Sequence, residues 1–112
     1  MVIQQLTIEH IQQDLSTTEL SPGALADYRV YLAALYSLRA AEMQEILKVK
    51  ASLWLDIRAE KNSDKAADRE WQTTEKGARE QQLKWELKRI DKLSSAIASK
   101  LRVMENEARN IM

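Results

Sequence analysis

The feature that most constrains this chain is a regular apolar spacing between residues 83 and 111. Apolar residues recur there at alternating intervals of four and three, and only Ser94 interrupts the series. The positions are Leu83, Leu87, Ile90, Ile97, Leu101, Met104, Ala108 and Ile111. This spacing is typical of a coiled-coil helix, whose apolar stripe packs against another helix. The sequence therefore predicts a long helix that needs a partner.

The amino-acid composition favours helices throughout the chain. The 112 residues include two Gly, one Pro and no Phe, so few positions favour a turn. A chain of this length suits one domain with a modest core. We therefore predict an all-α fold and a single domain overall.

The first predicted segment is an N-terminal arm at residues 1–21. It carries one narrow apolar stripe, and Thr7 stands where a helix cap is expected. The stripe consists of Ile3, Leu6, Ile8, Ile11 and Leu15. An isolated helix this short is marginal in water, so we expect the arm to pack on another part of the molecule.

The rest of the chain, residues 22–112, is predicted to form a helical hairpin. Ser21-Pro22 supplies a capping hydroxyl followed by a residue that lacks an N–H, which together mark the start of a helix at about 22–61. A short polar break follows, with Ser63 as the cap of a third helix at about 64–110. Gly77 is expected to interrupt this helix only mildly.

Two long helices joined by a short loop should lie antiparallel. Residues whose numbers add to about 125 then lie at the same height. This register places Trp54 against Trp71, Leu35 against Ile90, Leu38 against Leu87 and Trp85 against Ala40. The inward face of the second helix is predicted to hold Leu25, Tyr28, Leu32, Leu35, Leu38, Met43, Ile46, Val49, Leu53 and Ile57, with Leu47 level with Ala78.

The same register leaves Met104, Ala108 and Ile111 beyond the start of the second helix, where only the arm could cover them. Residues 1–28 contain four acids and no Lys or Arg, whereas residues 84–102 are mostly basic among their charges. We therefore expect the arm to be attracted to the third helix.

A hairpin with one short arm buries little apolar surface by itself. Several large side chains then need a second surface to cover them. They are Tyr31, Tyr36, Trp54, Leu55, Trp85 and Val103. We predict a homo-oligomer, most simply an antiparallel four-helix dimer, with the arm packed on its own chain or exchanged between chains.

Charge and cysteine content exclude several classes of protein. Seventeen basic and seventeen acidic residues cancel, so the whole chain has no field that would attract nucleic acid or an anionic membrane. There is no cysteine, hence no disulfide, thiol nucleophile or thiolate metal site. No apolar run approaches the roughly 20 residues that span a bilayer, and no signal peptide is evident. We expect a cytoplasmic protein without a membrane partner.

The predicted hairpin tip is the first candidate binding surface, because aromatic and cationic side chains meet there. Such a group is suited to stacking a base or holding a phosphate. Its members are Trp54, Arg58, Lys61, Lys65, Arg69 and Trp71. Acidic residues stand among them, so the alternative reading is packed tryptophans surrounded by solvated ion pairs.

A second candidate surface is a basic patch on the third helix. It comprises Lys84, Lys88, Arg89 and Lys92, and lysines and arginines grouped in this way can contact phosphates. The alternative reading is that the patch binds the acidic arm of the same chain or of a neighbouring one.

No residue pattern indicates catalysis, a cofactor or a metal. The one histidine, His10, has no Glu three residues before it, unlike the Glu-x-x-His pairs of di-iron bundles. Gly77 stands alone, whereas phosphate-binding loops need several glycines. We therefore predict a non-enzymatic protein without a cofactor.

The segment Asp56 to Arg69, DIRAEKNSDKAADR, is followed by a long Ala/Glu/Lys/Leu helix. In this layout the chain resembles small helical-hairpin proteins encoded by tailed bacteriophages, which place a Ser-containing break before an Arg-rich helix start. The resemblance covers about residues 25–110. It implies an accessory protein of a phage, acting in the bacterial cytoplasm, and it carries no catalytic motif.

Two functions follow as hypotheses. The first is an oligomeric helical interaction protein, phage-encoded, that binds a host or phage protein. The second is a binder of nucleic acid or of a small nucleotide, either a replication or recombination accessory or an anti-defence sponge. The second function would use one of the two candidate surfaces.

Overall fold

The structure is a computed structural model that describes residues 7–17 and 19–111, without the side chain of Ile111. This part of the chain forms four α-helices and no strand. They are α1 (Ile8–Thr17), α2 (Pro22–Ala59), α3 (Asp64–Thr73) and α4 (Glu75–Ile111). The predicted all-α, hairpin-like fold is confirmed. Ile3 and Leu6, predicted to extend the apolar stripe of the arm, lie outside the described residues.

Hydroxyl side chains cap the starts of three helices, as the sequence predicts. The Thr7 Oγ1 accepts a hydrogen bond from the His10 N–H at 3.0 Å. The Ser21 Oγ accepts from Ala24 and the Ser63 Oγ from Ala66, each at 3.1 Å. Each bond satisfies a backbone donor that the first turn of a helix leaves without a partner.

The chain divides into two compact units. Unit 1 comprises residues 1–36 and 88–112, and unit 2 comprises residues 37–87. Each unit has its own hydrophobic core, and the two are described separately.

The core of unit 1 is built from α1, the first part of α2 and the last part of α4. Leu35 packs against the cluster that contains Ile90, as the antiparallel register predicts. The fully buried members are Ile11, Leu25, Leu32, Ile90 and Ile97, with Ile8 almost as buried. The arm therefore provides a third helix, and this part of the molecule is a small three-helix core.

The predicted position of the arm is only partly right. The arm was expected to cover Met104, Ala108 and Ile111. Met104 is partly buried against the core that contains Ile8 and Ile11, whereas Ala108 is exposed and the side chain of Ile111 lies outside the described part of the chain. Instead, the Arg89 guanidinium contacts Glu9 at 3.1 Å, and the Lys100 ammonium donates to the Leu15 carbonyl at 3.1 Å. At this level α1 buries both Ile8 and Ile11 against two helices, which removes more apolar surface from water than contact with α4 alone. The predicted attraction between the arm and α4 is confirmed.

Unit 2 contains the chain reversal. Arg39 contacts Glu86 at 2.7 Å, Lys50 contacts Glu80 at 3.0 Å, and Arg58 contacts Asp64 at 2.7 Å. Later residues of α2 thus meet earlier residues of the following helices, which is the antiparallel arrangement expected. The core of this unit consists of Ile46, Trp71 and Leu83, with Met43, Trp54 and Ile57 packed against it.

Four residues predicted on the inward face of α2, or level with the opposite helix, are exposed instead. They are Leu38, Leu47, Val49 and Leu53. Trp85, predicted to lie opposite Ala40, is 65% exposed. A helix that packs against a single neighbour buries only the centre of its apolar stripe. The sequence pattern therefore predicted a wider buried face on α2 than the structure has.

Candidate protein-binding surface

A break between α3 and α4 at Thr74 shapes the surface of unit 2. The sequence predicted one helix through this region, and that prediction is wrong. Thr74 ends α3 with an extended backbone, its ψ being 157°, and its N–H donates to the Trp71 carbonyl at 3.0 Å. The Thr74 hydroxyl then accepts from the Gly77 N–H at 3.0 Å, so the same residue caps the start of α4.

Gly77 is required by a close approach of two backbone segments at this break. A Cβ at this position would lie 1.8 Å from the Trp71 carbonyl oxygen. No side chain fits at that distance. The glycine that the sequence identified as a mild interruption therefore holds α4 against the end of α3.

The buried carboxylate of Glu80 lies beside this break. It is 2% exposed and accepts a hydrogen bond from the Trp71 indole N–H at 2.9 Å. The Lys50 ammonium donates to its other oxygen at 3.0 Å, and Lys84 lies 3.8 Å away. Burial raises the pKa of Glu80, but the bonds from Trp71 and Lys50 and the two lysine charges outweigh it, so the pKa lies below its ordinary value.

The sequence analysis did not identify Glu80 as a buried residue. Lys50 is 30 positions away in sequence, and Trp71 reaches the carboxylate only because the helix breaks at Thr74. A glutamate on the same face as Leu83 and Leu87 was the available signal, because that face is otherwise apolar.

The residues of the predicted tip surface are separated by the fold into three groups. Trp71 is 3% exposed and belongs to the core. Trp54 donates to Asp68 at 2.8 Å, and Arg58 binds Asp64 and the Lys61 carbonyl. Lys61 itself lies 3.9 Å from Glu70. These side chains are therefore engaged within unit 2.

Lys65 and Arg69 form the third group. Both are exposed and lie one turn apart on α3. They are the members of the tip surface with their cationic groups in solvent.

The second predicted surface is distributed over both units. Lys84 belongs to unit 2, where it approaches Glu80. Arg89 belongs to unit 1 and binds Glu9 and Gln12 of α1, each at 3.1 Å. Lys88 and Lys92, also in unit 1, are exposed.

His10 lies on α1 and contacts Asp14, with 3.3 Å between Nε2 and Oδ2. Asp14 also accepts a hydrogen bond from the Tyr28 hydroxyl. This bond, together with burial and the Asp14 charge, raises the pKa of Tyr28. Across the described residues, no group of three or more His, Asp or Glu side chains is arranged to hold a metal ion.

Among the large apolar side chains of unit 2, six are exposed, three are buried and four are partly buried. Its buried apolar residues are Ile46, Ala67, Trp71 and Leu83, whereas its exposed ones are Leu38, Leu47, Val49, Leu53, Leu55 and Trp85. Unit 1 has the opposite balance, with Val30, Tyr36 and Val103 exposed against six buried residues. The exposed apolar side chains on α2 lie on more than one face of this helix, and exposed large apolar side chains are candidates for contact with a partner.

Part of this surface forms a groove between α2 and the junction of α3 with α4. Two adjoining cavities of about 470 and 410 Å³ make up the groove, and both are lined by Glu75 and Lys76. The apolar floor consists of Ile46, Val49, Leu53, Ile57 and Trp71. We call this feature the α2 groove.

No protein-family model, curated protein or solved structure matches the chain. None of the described helices is long and apolar enough to span a membrane.

Proposed function

We propose that the protein is a non-enzymatic interaction protein that associates with copies of itself and binds another protein through unit 2. The observation that carries the proposal is the presence of six exposed large apolar side chains in residues 37–87, all of which the structure describes. Covering such surface is the main source of free energy in protein association.

The resemblance in layout to helical-hairpin proteins of tailed bacteriophages supports a more specific role. We place the protein among phage accessory factors that act in the bacterial cytoplasm on a host or phage protein. This role needs no catalytic group, and hydrolysis of a common ester or nucleotide by the purified protein would count against it.

A pull-down from bacterial lysate tests the proposal. Tagged wild-type protein is compared with a Val49→Lys/Leu53→Lys variant, in which two exposed apolar side chains of the α2 groove become charged. Neither position is in the core, so the variant is expected to keep its helix content by circular dichroism. We expect the wild type to enrich a defined protein and the variant to lose it. Enrichment of no protein by the wild type would contradict the proposal.

Binding of nucleic acid or of a small nucleotide is the second candidate function. It is favoured by Lys65 and Arg69, whose exposed positions one turn apart on α3 suit two neighbouring phosphates. Titration with single-stranded DNA and with cyclic dinucleotides at two salt concentrations tests it. Binding must weaken as salt rises and must be lost in a Lys65→Gln/Arg69→Gln variant.

A further inference from the structure

The α2 groove has the length to hold several turns of one helix. Its lining on α2 extends from Glu42 to Ile57, which is about 22 Å at 1.5 Å per residue. The floor residues on α2 extend from Ile46 to Ile57, about three turns of the helix. The floor residues recur at intervals of three and four, the spacing with which one helix presents a stripe to another.

Two of the apolar side chains in the floor of the groove are exposed to solvent. Val49 is 38% and Leu53 is 37% exposed, whereas Trp71, which closes the base of the groove, is almost fully buried. The core of unit 2 therefore forms the base of the groove before any partner binds. An apolar side chain of a partner would enter from the solvent side, beside Val49 and Leu53.

The rim of the groove is acidic. Glu42, Glu45, Asp56 and Glu75 line it, against Lys76 and Arg79. Arg79 is bound by Glu42 through a two-bond contact, and the bond from Arg79 lowers the pKa of Glu42 although burial opposes it. Glu45 is paired as well, since the Lys48 ammonium donates to it at 3.0 Å. Asp56 and Glu75 then remain against Lys76, so the rim carries a small net negative charge.

We propose that the α2 groove binds a basic amphipathic helix of a partner protein, a step that rests on the proposed role in protein binding. The apolar stripe of that helix enters between Val49 and Leu53, and its flanking Lys or Arg side chains face Asp56 and Glu75. This is the helix-in-groove mode of recognition. A second copy that presented the same acidic groove would instead bring like charges together.

A designed peptide tests the proposal on the full-length protein. The basic probe is an amphipathic peptide of about four turns, with Leu at i, i+4, i+7 and i+11 and Lys at the flanking positions. The acidic probe is the same peptide with Glu in place of every Lys. Fluorescence anisotropy measures the affinity of each labelled peptide.

The matched variants are Leu53→Lys, which places a charge in the floor, and Leu55→Lys. Leu55 is 61% exposed and lies about 200° around the helix from Leu53, so it faces away from the groove. The basic peptide is expected to bind the wild type and the Leu55→Lys variant within twofold of each other, and the Leu53→Lys variant at least tenfold more weakly. Its affinity for the wild type should fall as salt rises.

Charge reversal of the rim completes the test. In the Asp56→Lys/Glu75→Lys variant the preference should invert, so that the acidic peptide binds more tightly than the basic one. Equal affinity of the two peptides for the wild type would overturn the proposal, as would equal losses in the Leu53→Lys and Leu55→Lys variants.

Light scattering during the titration separates this inference from the proposed function. Peptide binding that appears only as the protein dissociates to single chains would assign the groove to a second copy and overturn the proposal. Absence of peptide binding to a protein that still self-associates would overturn this inference alone and leave the proposed self-association standing.

Discussion

The indole N–H of Trp71 donates a hydrogen bond to the buried carboxylate of Glu80 at 2.9 Å. This bond joins α3 to α4 across the break at Thr74. Lys50 of α2 binds the same carboxylate and lies over the Trp71 ring, 5.7 Å from its centroid. One buried charge therefore links three helices, and the tryptophan it holds closes the base of the α2 groove.

Replacing Glu80 with Gln should destabilise the protein by about 1–3 kcal/mol at pH 7, because a buried hydrogen bond to a charged group and its lysine partner are lost. Urea unfolding measures this loss. The matched control is Glu105→Gln, which removes an exposed i, i+4 pair with Arg109. This control substitution should lower the free energy of unfolding by less than about 0.5 kcal/mol.

The pH dependence of stability should also report on Glu80. Its folded-state pKa lies below the ordinary value of 4.5. Its stabilising contribution is therefore complete above about pH 4.5 and is lost as the pH falls through the lowered folded-state value. The difference in unfolding free energy between wild type and Glu80→Gln should shrink between pH 7 and about pH 3. An unchanged difference would contradict the charged, buried state of this residue.

Gly77→Ala should destabilise the protein although alanine is the better helix former. The added Cβ would overlap the Trp71 carbonyl, and relieving an overlap of this kind costs about 1–3 kcal/mol. Gly23→Ala is the matched control, since its Cβ would meet only the Ser21 Oγ at 4.0 Å. We expect thermal unfolding to show that Gly23→Ala leaves the free energy of unfolding unchanged or raises it by up to about 1 kcal/mol. A Gly77→Ala protein as stable as wild type would show that α3 and α4 form one continuous helix.

Thr74→Val removes a hydroxyl that accepts from Gly77 and donates to the Trp71 carbonyl. The expected loss in unfolding free energy is about 0.5–2 kcal/mol, the range for a helix cap. Thr73→Val is the matched control. It makes the same substitution at an exposed position, where the hydroxyl donates only to the Glu70 carbonyl. Chemical denaturation should give a clearly lower free energy of unfolding for Thr74→Val than for Thr73→Val. Equal losses in the two variants would argue against Thr74 as the helix cap.

Ile11→Ala should release α1 from unit 1. Ile11 is fully buried, and truncation at such a position costs about 2–5 kcal/mol. Hydrogen exchange should show loss of protection along Ile8–Thr17, while amides of residues 37–87 exchange as in wild type. Gln13→Ala, at an exposed site on the same helix, should leave protection unchanged. Protection of α1 that survives Ile11→Ala would contradict this packing.

Features with a local cause could be predicted from the sequence. The caps at Thr7, Ser21 and Ser63 depend on hydroxyls beside helix starts, and the reversal near Ser63 follows from a short polar break between two long apolar patterns. The register that places Leu35 beside Ile90 follows from the reversal alone. These elements needed no knowledge of contacts between distant residues.

Features set by distant contacts could not be predicted. The break at Thr74 depends on the close approach of Gly77 to Trp71, and the burial of Glu80 depends on Lys50. Leu53 has the same apolar character as Ile46, but only the position of α3 and α4 decides that Ile46 is buried and Leu53 is open to a partner. The α2 groove was therefore not visible in the sequence pattern.

Multi-angle light scattering of the wild-type protein at micromolar concentration tests the central claim, that unit 2 exposes its apolar surface in order to associate. The account predicts a mass of two chains, falling toward one chain in a Leu55→Lys/Leu47→Lys variant. A wild-type protein that scatters as a single chain throughout this range would contradict it.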